Sequence, residues 1–335
     1  MALRLSHSAI DKYKTCGRMF KLHYQDRIRE TKNSSPLIFG SALDEALGIM
    51  LLQKKDDLTE EEKELSKFTP LEMFEQMMND CDWSNVHFFR SDFDDKLLTE
   101  EELKLEEHER GKLSLLKKGR MMLDAYEKEV MPKIFRVVSI QSEDELKNEN
   151  GDILTSKTDF IAEWETEGNV VLFDNKTSAK KYPKRSVIES QQLSIYSEAE
   201  NIKQCGYIVC VKQINHVEHK TCKECNFYSV SRHKSCFNTI SGVRCSGEWL
   251  IEEKPEVTIQ VLIDDIPEET KELVFNEIQR YASYIKEEKF DMNHDSCFQY
   301  GRKCPYYDYC REGSMKGLIK LEGSTWRRNE NKKKK

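Results

Sequence analysis

Asp159, Asp174 and Lys176 are the residues whose types and spacing most directly suggest chemistry. Residues 158–164 alternate like a strand, and 170–173 form a short apolar strand that delivers Asp174, with Asn175 and Lys176 directly after it. A hairpin of these two strands sets the aspartates side by side although they lie fifteen residues apart. Two carboxylates converging at a strand end make a site for a hard divalent cation, with room for waters and a phosphate oxygen. Alternation along a strand places Asp174 and Lys176 on one face. There the ammonium can polarise an attacking water or neutralise charge that develops on a phosphate. An isolated Asp-x-Lys is most often a polar strand end running into a turn. Here Val171, Leu172 and Phe173 are apolar up to the carboxylate, and Thr177 and Ser178 are polar after it. That order is what hydrolysis of a phosphodiester requires.

The eleven cysteines fall into groups. Cys222 and Cys225 form a Cys-x-x-Cys knuckle, followed by Cys236 and Cys245. This is a zinc signature. His233 can replace one thiolate, with His216 and His219 as weaker competitors. The segment has few apolar residues, so a metal is expected to hold it folded. Cys297, Cys304 and Cys310 form the other group. Three close thiolates need a fourth ligand, either around one metal ion or around a cubane cluster.

The elements that must position these residues can be read in outline. Ser6 or Ser8 caps a helix expected over 9–24. Pro36 breaks the chain before a second helix over 39–52, and another helix spans 113–130. Strands follow at 135–140, 158–164 and 170–173, then a helix over 187–200 and a strand over 206–213. A strand over 257–263 leads into a helix over 268–289 opened by Pro267, with Leu273, Ile278, Tyr281 and Ile285 inward. This is a mixed α/β core with one small inserted module. The expected division is a helical region over 1–134, a core over 135–215 and 250–290, a zinc insert over 216–249, a cysteine segment over 291–322 and a basic tail over 323–335.

A net charge of −7 looks wrong for a nucleic-acid binder. The charge is uneven, however. Residues 55–110 carry 19 acidic and seven basic side chains, and the remainder of the chain is slightly basic. Lys180, Lys181, Lys184 and Arg185 cluster just after the acidic pair. Local charge decides where a phosphate backbone can lie. No run of eighteen apolar residues is evident, so no membrane span is expected. The chain start lacks the apolar stretch of a signal peptide, which points to the cytoplasm.

Four stretches carry a resemblance. Leu5-Ser-His-Ser-Ala-Ile-Asp-Lys-Tyr-Lys-Thr-Cys16, Phe39-Gly-Ser-Ala-Leu-Asp44-Glu-Ala, Asp159 with Asp174-Asn-Lys176, and Gln192-Leu-Ser-Ile-Tyr196 resemble motifs of the PD-(D/E)XK nucleases. The likeness is to the RecB/AddB-type branch, in the form seen in many phage and CRISPR-adaptation exonucleases. It implies a restriction-endonuclease-like fold with a central mixed sheet flanked by helices. It implies Mg²⁺ or Mn²⁺ on Asp44, Asp159 and Asp174, helped by the carbonyl of Asn175. Lys176 would activate or position the water, and Gln192 and Tyr196 would orient the DNA strand or the lysine. It makes Cys16 the fourth partner of Cys297, Cys304 and Cys310 around a four-iron iron–sulfur cluster. The implied substrate is DNA, single-stranded or at duplex ends, in a bacterial or phage-infected cell, with replication or recombination proteins as partners. The alternative is a catalytically silent module that binds DNA or a partner. The chain departs from the family pattern at Asp44, where many relatives have His, and at Gly17, where Pro is frequent. Ser156 to Thr158 stand where a glycine often precedes the first core aspartate.

Overall fold

The computed structural model describes residues 2–230, 239–240, 243–245, 247–299 and 302–322. Strand β1 (Arg4–Ser6) leads into α1 (His7–Thr15), whose N-terminus is capped by the Ser6 hydroxyl accepting from the Ala9 N–H. The helix expected over 9–24 stops early, because Cys16 is extended (φ −165°, ψ 117°). A short helical turn, Gly17–Phe20, and a wide turn, Lys21–Gln25, complete it. Helix α2 (Ser35–Leu52) starts with Pro36 in its first turn, where a missing N–H costs nothing. Pro36 therefore opens the helix. By length and composition α2 is apolar enough to cross a membrane, but it carries Asp44 and Glu45 and most of it is buried in the core.

The acidic segment is built into the fold. Its helix α3 (Pro70–Asp80) buries Phe74 and Met78 beside α2, and Trp83 follows them into the same core. Pro70 again opens a helix. Helix α4 (Glu107–Glu129) packs Leu115, Met122 and Tyr126 on that core. Among these apolar groups lies a charged pair, Asp92 with Lys212 at 2.6 Å, both almost fully buried.

Strands β2 (Ile134–Ile140), β3 (Glu143–Lys147), β4 (Ile153–Lys157), β5 (Phe160–Trp164) and β6 (Val170–Ser178) come next. Helix α5 (Gln191–Glu200), β7 (Gln204–Cys222), β8 (Trp249–Asp265) and α6 (Glu268–Lys286) complete the core. The main sheet runs β8-β7-β6-β5-β2, with β6 and β7 parallel and the other pairs antiparallel. A smaller sheet has the order β1-β4-β3. Helices α2, α3 and α4 cover one face of the main sheet through Phe39, Leu43, Phe160 and Phe173. Helices α1, α5 and α6 cover the other through Ile10, Leu172, Ile195 and Ile278. This is a mixed α/β fold with its sheet between helical layers.

Several bounds differ from the sequence reading. Helix α5 begins at Gln191 because Ser190 caps it, accepting from the Leu193 N–H at 3.0 Å. Strands β7 and β8 outrun their apolar stretches and pair from Gln204 with Asp265 out to Cys222 with Trp249. The ribbon therefore continues past residue 216. Backbone pairing sustains it where the side chains give no strand signal. Leu273, expected inward, is 71% exposed. The inward face of α6 is Val274, Ile278, Ala282 and Ile285.

Candidate active site and thiol clusters

Phe160 pairs with Phe173 across β5 and β6. One step further in that antiparallel register, Asp159 falls opposite Asp174. Asp159 occupies the bend just before β5 rather than the strand itself. Strand β6 does not end at Asp174 but runs through Lys176 to Ser178. Leu172, Asp174 and Lys176 therefore share the face covered by α5, while Phe173 and Asn175 face α2 and α4.

The contacts follow from that alternation. The carboxylate of Asp159 accepts from the Asn175 backbone N–H at 2.7 Å. Lys176 forms an ion pair with Asp174 and lies over the ring of Tyr207, 5.9 Å from its centroid. Gln192 donates to Asp174 Oδ1 at 2.8 Å and reaches the Tyr196 hydroxyl at 2.7 Å. Residues 192 and 196 stand four apart on α5, so they share one helix face. Tyr126 of α4 donates to Asn175 Oδ1 at 3.1 Å from the opposite side.

Asp44 of α2 joins Asp159, Asp174, Lys176 and Gln192 around one cleft of about 340 Å³. All the acidic and amide residues picked from the sequence thus meet in one place, with Tyr196 just behind Gln192. The sequence reading missed Tyr126 and Tyr207. Tyr126 lies 49 residues from Asn175, and nothing local to either residue signals the contact.

Charge within the cleft is unbalanced. Burial, then Asp174 and Asp44, pushes Asp159 well above the usual carboxylate range. Burial, then Asp174, raises Asp44. Burial raises Asp174 as well, with Lys176 opposing it. For Lys176 burial works downward, but Asp174 and Asp159 outweigh it and hold the ammonium charged. Three carboxylates compressed beside one ammonium fit a hard divalent cation.

Two thiol groups lie elsewhere. Cys222, Cys225 and Cys245 sit at the ribbon tip with their sulfurs all within 4.8 Å of one another, Cys222 and Cys245 being 3.5 Å apart. Backbone N–H groups of Cys225 and Glu224 lower the Cys222 thiol to about 7. Tetrahedral zinc, with Zn–S of ~2.3 Å, separates its sulfurs by about 3.8 Å, so this trio fits zinc. Cys236 and His233 lie outside the described residues.

Cys16, Cys297, Cys304 and Cys310 line one small cavity between the end of α1 and the C-terminal segment. Burial first, then the neighbouring thiols Cys297, Cys310 and Cys16, raises Cys304. The residues 323–335 of the expected basic tail lie outside the described residues.

A search of the curated proteins finds no match. A model of the PD-(D/E)XK nuclease superfamily matches residues 4–311, a span that contains every residue of the cleft. The chain belongs to the PD-(D/E)XK nuclease superfamily.

Proposed function

We propose that the cleft hydrolyses DNA phosphodiester bonds with Mg²⁺ or Mn²⁺ held by Asp44, Asp159 and Asp174, together with the carbonyl of Asn175. The observation that carries this reading is the meeting of three carboxylates, Asp44 of α2, Asp159 from the bend before β5 and the buried Asp174 of β6, beside Lys176. A bound divalent cation supplies positive charge to a phosphate oxygen and acidifies a bound water. Lys176, kept charged by Asp174, stabilises the negative charge that grows on the phosphate. Gln192 fixes the Asp174 carboxylate and, with Tyr196, faces the strand. Lys180, Lys181, Lys184 and Arg185, just beyond β6, attract the phosphate backbone.

The finer reading is an exonuclease of replication, recombination or repair, of the RecB/AddB type. A zinc ion on Cys222, Cys225, Cys236 and Cys245, with His233 as the alternative ligand, holds the ribbon tip. A four-iron cluster on Cys16, Cys297, Cys304 and Cys310 ties the chain ends together. The meeting of these four thiols around one cavity supports that assignment.

The test is a time course on DNA end-labelled at either terminus, with each metal, beside Lys176→Ala. Wild type shortens the label stepwise, and Lys176→Ala is slower by about 100-fold or more. Equal rates in the two proteins, or no cleavage with any metal, overturn the reading.

A further inference from the structure

Gln192 lines the cleft, and on its far side, with Tyr196, it lines a second cavity of about 410 Å³. This lies inside the ~300–1,000 Å³ range of small-ligand sites. The β1–α1 junction supplies Ser6, His7 and Ser8, and β4 supplies Ser156 and Lys157. The two cavities are close enough for His7 to feel the charge of Lys176 and for Asp44 to feel that of Lys157.

The chemistry of the lining selects its occupant. Arg4 is paired with Glu145 at 2.7 Å and Lys157 with Glu143 at 3.8 Å, so the cations there are already balanced. Burial keeps the His7 imidazole below its ordinary range despite Asp11, and therefore neutral. A free multivalent anion gains little in such a place. Asp144 lines the cavity as well and tips its charge negative, which further disfavours an anion; beside it stand neutral donors and acceptors (hydroxyls, an imidazole, a carboxamide, a phenol) with two rings, His7 and Tyr196. Those groups suit the hydrogen-bonding edge and flat face of a nucleobase and its sugar. Ser156 adds an independent mark. It is 2% exposed, lines this cavity, and its hydroxyl has no protein partner. A buried hydroxyl left unpaired is costly, and a ligand can relieve that cost.

We infer that this cavity is the subsite for one unpaired nucleotide, adjacent to the bond cut in the Asp159–Asp174 cleft. The inference rests on the nuclease reading of that cleft. A base still paired in a duplex cannot enter, so the strand is bound with that base unstacked and single.

Ser8 is exposed on the first turn of α1, so Ser8→Trp fills the cavity without disturbing the core, and His7→Ala removes one ring. Two readouts separate this inference from the one it rests on. The first is titration with thymidine, which presents base and sugar without a charged phosphate, in EDTA, where no cleavage occurs. Wild type binds, and both variants bind at least about tenfold more weakly, equivalent to ~1.4 kcal/mol. The second is cleavage of linear single-stranded DNA with Mn²⁺, where Ser8→Trp raises KM by a similar factor and leaves kcat near wild type. Equal thymidine binding and equal KM in all three proteins, or no thymidine binding by wild type, overturn the subsite. Wild type that binds thymidine, loses it in Ser8→Trp and cuts no DNA keeps the base subsite and overturns the nuclease reading.

Discussion

Asp44, Asp159 and Asp174 repel one another around the cleft, Asp174 being 1% exposed and the other two half-buried. Lys176 offsets part of that repulsion, and the remainder sets how the protein responds to metal and to pH. The folded pKa of Asp159 lies above the ordinary carboxylate range. In chelator, the folded state therefore keeps protons that the unfolded chain has already lost. Stability in EDTA is expected to fall as pH rises from the ordinary carboxylate range through the raised one. Thermal melts across that window check the sign, and Asp159→Asn flattens the curve. Mn²⁺ binds the folded state alone and raises the melting temperature, by the equivalent of about 2.7 kcal/mol at a hundred times its dissociation constant. Asp174→Asn is expected to lose most of that rise.

At the scale of elements, α4 meets α3 through a glycine. A Cβ on Gly119 would lie 2.0 Å from a ring carbon of Phe74, which is itself fully buried. Gly119→Ala is expected to cost about 1–3 kcal/mol through overpacking, even though alanine favours the helix. Denaturant unfolding measures the difference, and an unchanged midpoint contradicts this packing. One residue earlier, Lys118 sends its ammonium to the Ser91 carbonyl at 2.9 Å, inside the same layer. Burial, opposed by Asp94 and Asp92, lowers it to about 8 from an ordinary value of 10.5. Between those two values the unfolded chain holds a proton that the folded state has released. Stability is thus expected to rise with pH over 8 to 10.5 through this residue, and the rise is expected to be smaller in Lys118→Met. This network also accounts for the acidic segment. Asp92 accepts from the Phe89 N–H at 2.7 Å, from Ser35 at the start of α2 and from Lys212 of β7. The acidic segment thereby bears on the helix that carries Asp44.

Over the whole molecule, the two ends of the described chain are fastened together. The Tyr13 hydroxyl donates to the Lys289 carbonyl at 2.6 Å, and Asn293 donates to the Thr15 carbonyl at 3.0 Å. Residues 28–30 pair with 318–320 in a short antiparallel ladder. Gly17 permits the approach, since a Cβ there would lie 3.1 Å from backbone atoms of Phe290 and Asp291. The departure from proline at this position thus has a local reason. A cluster on the four thiols at this junction closes a loop of nearly the whole chain, and long closures restrain the unfolded state most. Protein prepared without oxygen is expected to be brown with broad visible absorption. Cys304→Ser is expected to lose the colour and to melt lower. A colourless wild type containing zinc alone overturns the cluster.

The chemistry of the cleft was legible from the chain because it is local in sequence. An apolar run ending in Asp174-Asn-Lys176 forces both charged groups to one face of a strand, and Gln192 and Tyr196 share a helix face by spacing alone. Periodicity likewise located the strands of the hairpin and the helices on either side of the sheet. Where the sequence reading failed, it failed at ends and inward faces. Caps, backbone pairing and neighbouring layers decide those, as with Ser190, the β7–β8 ribbon and Leu273. Residues far apart along the chain were settled only by packing. Tyr126 against Asn175 and Asp92 against Lys212 depend on how layers stack, and side-chain spacing holds no record of which layers will meet.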